Sequence, residues 1–287
     1  MEEDLNEKSQ SKISSSHFEH ICFNTNTGGG GLFGYKLYKH EKQQENQITN
    51  IQRQIEQQEN QITNNQGQEE YLQDKLIQVT DYYNFQPKYK DDTYNYFAIG
   101  NSLTLITSWG RGICSTKPDN DYFNLVKKSL ESKYGDVVAY PYNFASWERL
   151  SNRAEALDLI DPYLSDDLDL VTIQLGENAT DLSTYEEDLE NLINYVKDKA
   201  PKAKIVIIGD WWSTERNNYR KEAAQNTNVL FADLSDVIGD SSYQSKTGTV
   251  CYMSDGKTIE VPEGAAAHPG DKGMKYIANK VIEAIEE

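Results

Sequence analysis

From about residue 92 onward, short apolar runs alternate with amphipathic stretches, and this alternation restricts the fold more than any other feature of the chain. The runs YFAIG (96–100), VVAYPY (137–142), LVTIQL (170–175), KIVIIG (204–209) and VLFAD (229–233) read as strands. Each is almost continuously apolar, which predicts burial on both faces. Leu189, Leu192, Ile193 and Val196 fall at i, i+3, i+4 and i+7, predicting a helix over 185–198. The final KGMKYIANKVIEAIEE repeats that pattern with Tyr276, Ile277, Val281, Ile282 and Ile285. Alternating β and α units imply an α/β fold, a parallel sheet covered by helices on both sides. In such sheets, sites form beyond the carboxyl ends of the strands.

The N-terminal third has a different texture. Residues 1–40 are polar and aperiodic and read as a flexible segment. Within it HFEHIC brings His17, His20 and Cys22 together, but a closed metal site needs a fourth ligand and a rigid frame, so no metal is expected. The glycine-rich GGGGLFGYKLYK (28–39) reads as a linker. Residues 41–80 contain QQENQITN at 43–50 and again at 57–64, an offset of two heptads. Ile48, Ile55, Ile62 and Leu76 then fall at a, and Ile51, Leu72 and Val79 at d, while Gln58, Asn65 and Glu69 interrupt the seam. A helical, coiled-coil-like segment that self-associates weakly is expected, with a solvated single helix as the competing reading. The expected domains are therefore 1–40, 41–80 and 92–287.

A net charge of -18 over 287 residues repels phosphates, which disfavours nucleic acid and anionic membrane surfaces as partners, and none is expected. No apolar run approaches the roughly 18 residues needed to cross a bilayer, so no membrane insertion is expected. No secretory pattern opens the chain. As written, it is expected to stay in the cytoplasm; a polar stalk ahead of a catalytic domain would suit a surface enzyme if an anchor lies elsewhere. Cys22, Cys114 and Cys251 are an odd, widely spaced set and offer no disulfide framework.

The predicted strand ends carry polar groups. The first ends in Gly100-Asn101-Ser102, the second runs into NFASWER (143–149), the third ends in Gly176-Glu177-Asn178, and the fourth in Gly209-Asp210-Trp211-Trp212. The last loop carries His268-Pro269-Gly270-Asp271 before the closing helix. Of four histidines, His17, His20, His40 and His268, only the last lies in the α/β region. A serine hydroxyl needs a positioned base to act as a nucleophile, so Ser102 would draw on His268. Acyl transfer also needs donors for an oxyanion. The Ser102 backbone N–H, the Asn178 side-chain amide and a backbone N–H within Ser146–Glu148 can supply them. Taken singly, Asn178 is an ordinary turn residue and HPGD a loop leading to a helix cap at Asp271.

IGNSLT, GEN and AHPGDKG, in that order, resemble the SGNH (GDSL-type) hydrolase superfamily over about residues 92–287. The resemblance implies a three-layer α/β/α sandwich with a flavodoxin-like sheet, serine esterase or carbohydrate deacetylase chemistry, and no metal or cofactor. It implies Ser102 as nucleophile, His268 as base and Asn178 as oxyanion donor. Three departures stand out. The usual Gly-Asp-Ser reads Gly-Asn-Ser. The usual glycine of the second block is missing from NFASWER, where spacing points to the backbone N–H of Glu148. The aspartate usually found three residues before the histidine is Ala265. A backbone carbonyl would then hold the imidazole in a Ser–His dyad, with the Glu263 carboxylate as second choice; Asp255 or an inactive enzyme are the other outcomes. Asn101-Ser102-Leu103-Thr104 also lacks the second glycine of a G-x-S-x-G elbow, which argues against an α/β-hydrolase.

The remaining rim residues suggest substrate contacts: Asn101, Trp147, Asp210 and Trp211, with Trp109, Trp212 and Tyr243 nearby. Tryptophans filling gaps between helices and sheet are the plainer reading. The expected function is a serine esterase removing a short acyl group, acetyl first among them, from a small-molecule or glycan ester. An O-acyltransferase would use the same residues. A glycan-binding or scaffolding module with a decayed pocket is the third reading.

Overall fold

The computed structural model describes residues 68–69, 87–106 and 108–287. The chain divides into two compact units, Met1–Gln58 and Glu59–Glu287. The expected flexible segment and heptad segment lie outside the described residues, except that Gln68 and Glu69 are helical.

Five strands form a parallel sheet: β1 (Tyr94–Gly100), β2 (Val137–Asn143), β3 (Leu170–Gln174), β4 (Lys204–Ile208) and β5 (Leu230–Ala232). Their order is β2-β1-β3-β4-β5, a flavodoxin-like doubly wound arrangement. The helices are α1 (Tyr122–Tyr134), α2 (Ala145–Arg149), α3 (Tyr185–Lys199), α4 (Thr214–Asn226) and α5 (Asp271–Glu286). A short antiparallel hairpin, β6 (Val250–Tyr252) and β7 (Thr258–Glu260), stands apart from the sheet.

Side-chain alternation along the strands builds two cores. Phe97 and Ile99, Val171 and Ile173, Ile205 and Ile207 pack against Leu189, Leu192, Ile193 and Val196 of α3 and Ala223 and Ala224 of α4. Tyr96 and Ala98, Leu170, Val206 and Ile208 pack on the other face against Tyr122, Val126 and Leu130 of α1 and Met274, Ile277 and Val281 of α5. The described unit is thus an α/β/α sandwich, with β3 the middle strand and β1 between it and the edge strand β2. β2 departs from the expected two-sided burial: all seven of its residues are only half-buried. It stands at one end of the strand order, where Pro141 is tolerated because an edge residue can lack an N–H. Among the described residues, no helix is long and apolar enough to cross a membrane.

Because β2 and β3 lie on opposite sides of β1, the chain leaves β1 in one direction and returns on the other. That switch opens a crevice at the carboxyl end of β1. Gly100 closes the strand there for a steric reason. A Cβ at this position would sit 1.8 Å from Thr104 Oγ1. The Thr104 hydroxyl cannot give way easily, since it is buried and bonded to Tyr122 Oη at 2.5 Å. Gly100→Ala is expected to lower stability by about 1–3 kcal/mol through overpacking, read as a reduced urea midpoint at unchanged m-value.

Candidate active site

The turn after β1 is a single helical turn. The Asn101 carbonyl accepts from the N–H groups of Thr104 and Leu105, both at 3.0 Å. The Asn101 Oδ1 accepts from the Leu103 N–H at 3.1 Å, and the Ser102 carbonyl accepts from Ile113 N at 2.9 Å. Among the described residues, no hydrogen bond takes the Ser102 N–H. Ser102 itself is half-buried.

His268 arrives from the far end of the chain, 166 residues away, with Nε2 3.5 Å from Ser102 Oγ. That is long for a hydrogen bond, and closure by a few tenths of an ångström would make it a good one. The ring's Nδ1 lies 3.0 Å from the Ala265 carbonyl oxygen. A carbonyl can only accept, so Nδ1 carries the hydrogen and Nε2 presents its lone pair to Ser102. The Ala265 carbonyl also accepts from the His268 backbone N–H at 3.0 Å and from the Cys114 thiol at 3.3 Å. Trp212 stands edge-on to the imidazole, with ring centroids 4.9 Å apart. Burial lowers the His268 pKa below its ordinary 6.5, and the Ala265 hydrogen bond only partly opposes this.

The expected second choice for orienting the imidazole is corrected by this geometry. Glu263 is exposed in the short 3-10 turn Glu263–Ala265, and the ring is held by the carbonyl two residues later. Asp255 is occupied with Lys257 at 2.6 Å in the hairpin turn. The helix cap expected at Asp271 is Gly270 instead. The Asp271 carboxylate reaches across to the loop after β1, accepting from the Thr116 N–H at 2.7 Å and from Asn120 Nδ2 at 2.8 Å. It thereby fastens the histidine loop to the serine loop.

Behind Ser102 lies a buried polar network that sequence reasoning missed. Glu148 is 1% exposed. Its carboxylate, rather than only its backbone, faces the site: it accepts from the Gly176 N–H, from Asn178 Nδ2, and from Asn101 Nδ2 at 2.9 Å. The Asn101 amide also donates to Glu177 Oε2 at 2.7 Å. Arg220, fully buried, pairs with Glu177 at 2.8 Å and with Asp210 at 3.0 Å, and Arg216 holds Asp210 at 2.7 Å. Asn178 keeps one amide hydrogen beyond the one given to Glu148.

The four expected substrate contacts are also corrected. Asn101 and Asp210 are enclosed in this network, Trp147 is packed within the core, and the Trp211 indole donates to the Ala267 carbonyl at 3.0 Å. Trp109 is buried as well. Trp212 and Tyr243 remain half-exposed.

Burial pushes the Glu177 carboxyl up to about 7; Arg220 opposes the shift, and Asp210 and Glu148 add to it. Burial also raises the Asp210 carboxyl, but Arg220 and Arg216 outweigh it and the net shift is downward. Asp210 therefore stays ionised, and Glu177 is the member of the pair that gains a proton as pH falls through about 7. Among the described residues, no cluster of His, Cys, Asp and Glu suits a metal ion.

Solved structures that align with this chain include SGNH and GDSL-type hydrolases. A phospholipase A1 from Streptomyces albidoflavus aligns with TM-score 0.47 and 13% identity, over 67% of this chain and 99% of its own. A variant acetyl xylan esterase from Geobacillus stearothermophilus aligns at 0.45 and 17%, over 68% of this chain and 96% of its own. A protein assigned as an SGNH hydrolase from Slackia heliotrinireducens aligns at 0.41 and 18%, over 67% and 99%. No family model and no curated protein matches the chain. At these scores the description of the fold rests on its own strand order.

Glu177 and His268 pull stability in opposite directions with pH. A raised carboxyl pKa stabilises the fold fully below its ordinary 4.5, and this is lost as pH rises through about 7. A lowered imidazole pKa costs stability as pH falls below 6.5. Glu177→Gln is expected to remove about 1–3 kcal/mol of the stability difference between about pH 5 and about pH 8, measured by urea denaturation at each pH.

Proposed function

We propose that this chain is a serine esterase of the SGNH (GDSL) type, hydrolysing a short acyl ester. The observation that carries the reading is the meeting of Ser102 Oγ with the lone-pair nitrogen of His268, whose other nitrogen is fixed by a backbone carbonyl. Ser102 Oγ attacks the ester carbonyl carbon and gives its proton to His268 Nε2. The tetrahedral intermediate's oxyanion is met by the Ser102 N–H, the second amide hydrogen of Asn178 and a backbone N–H at or near Glu148. The imidazolium returns the proton to the departing alkoxide, leaving an acyl-serine. Water then repeats the sequence with His268 as base, releasing the acid and restoring Ser102.

The lowered His268 pKa keeps the ring neutral, as a base must be. Among the described residues no carboxylate bonds the ring, so the imidazolium is stabilised by the Ala265 dipole and a modest turnover is expected relative to a full triad. Carbohydrate as the alcohol rests on Trp212 and Tyr243, the half-exposed aromatics of the expected rim. The burial of Trp147, Trp211 and Asp210 removes most of what favoured a glycan over a small ester.

Hydrolysis of p-nitrophenyl acetate tests the reading. Ser102→Ala and His268→Ala are each expected to lose on the order of 10³-fold or more in kcat/KM, while Glu263→Gln stays at the wild-type value. Wild-type turnover retained by Ser102→Ala would refute the assignment. The acid limb of kcat/KM against pH is expected to have its midpoint below 6.5, following His268.

A further inference from the structure

Asn101 sits between two buried carboxylates. Its amide nitrogen lies 2.9 Å from Glu148 Oε1 and 2.7 Å from Glu177 Oε2, and all three side chains are almost wholly withdrawn from solvent. The orientation of the amide is fixed by its neighbours. Both carboxylates need a donor, and the Leu103 N–H, 3.1 Å from Oδ1, needs an acceptor. Reversing the group would set an oxygen against two carboxyl oxygens and leave the Leu103 N–H facing a donor.

Glu148 differs from the other acids of the network. Arg220 pairs with Glu177 and with Asp210. Among the described residues, no Lys, Arg or His side chain forms an ion pair with Glu148. A buried anion without a cation must be satisfied by hydrogen-bond donors. Glu148 finds them in the turn after β1, through Asn101, and in the turn after β3, through the Gly176 N–H and the Asn178 amide. One carboxylate therefore spans the two turns that present Ser102 and Asn178.

We propose that Glu148 and Asn101 are a coupled positioning pair: Glu148 clamps the Asn178 turn to the Ser102 turn, and Asn101 is the neutral bridge that lets two buried carboxylates flank the serine. The structural half of this stands on the network alone. Its catalytic half rests on the esterase reading.

The pairing makes an isosteric change unusually costly. Asn101→Asp would replace a shared donor by a third carboxylate beside two others. The cost should depend on the charge at position 148, because Glu148→Gln removes one of the facing anions. The test is a double-mutant cycle with Asn101→Asp, Glu148→Gln and the double variant of the full chain. Urea denaturation is followed alongside kcat and KM for p-nitrophenyl acetate.

The folding equilibrium constant lost on Asn101→Asp is expected to shrink by about tenfold or more when Glu148→Gln is present. Both single variants are expected to lower kcat by about tenfold or more, with KM within about twofold of wild type. Additive stability effects would overturn the pairing. Coupled stability with wild-type kcat in every folded variant would overturn the positioning role and leave a purely structural one. Should Asn101→Asp fail to fold, Asn101→Ala completes the cycle, with the same dependence on Glu148 expected. A wild-type chain with no turnover above Ser102→Ala would sink the esterase reading instead, and the denaturation cycle would still judge the pairing.

Discussion

The buried Arg220 guanidinium is engaged at all three nitrogens. Nε donates to Tyr185 Oη at 3.1 Å, one terminal nitrogen to the carbonyls of Ile208 and Gly209 at 2.9 and 3.0 Å, and the other to Asp210 at 3.0 Å, while pairing with the Glu177 carboxylate at 2.8 Å. Tyr185 in turn donates to the Leu175 carbonyl at 2.7 Å. The ends of β3 and β4 are thereby joined through one planar cation that cannot lose its charge. Removing it would strand two carboxylates in the interior. Gly176 belongs to the same arrangement: its φ is +128°, and a Cβ there would lie 2.3 Å from Tyr185 Oη. The crevice floor is thus a fixed polar plate, and Ser102 stands on it by way of Asn101.

The proposed dyad is built differently from the plate. Its two members come from loops, and the base is oriented by a main-chain oxygen rather than a side chain. A carbonyl cannot be titrated, so it fixes the tautomer across the whole working pH range. It also carries only a partial charge, and so gives an imidazolium less support than a carboxylate would. Stable orientation and weak charge stabilisation follow from the same atom.

Much of this architecture can be read from the chain. Each of the five apolar runs is a strand to within two residues; two-sided burial forces near-continuous apolarity in β1, β3 and β4, while the edge strands β2 and β5 share it though only partly buried. Ser102 and His268 were visible because the switch-point rule points to strand ends and only one histidine lies in this region. The hairpin β6–β7 was harder to see: three-residue strands carry too little periodicity, although Asp255-Gly256 at the turn is a fair signal. The polar plate was misread for a physical reason. Charged and aromatic residues next to strand-end glycines look like an exposed rim, and only three-dimensional pairing shows that Asp210, Glu148 and Asn101 satisfy one another inside. Arg220 was hidden by its helix, Thr214–Asn226, whose sequence TERNNYRKEAAQN is polar on most sides. Nothing local distinguishes its fully buried Arg220 from the half-buried Arg216.

The Asp271 carboxylate has a mechanical implication. It belongs to the first turn of α5, only three residues beyond the imidazole, yet it grips Thr116 and Asn120 on the strap that begins with the alcohol. Neither strap can swing outward alone without tearing that grip. Any displacement of one strap is thereby passed to the other, so the separation of the hydroxyl and the imidazole answers to a bond that neither of them makes.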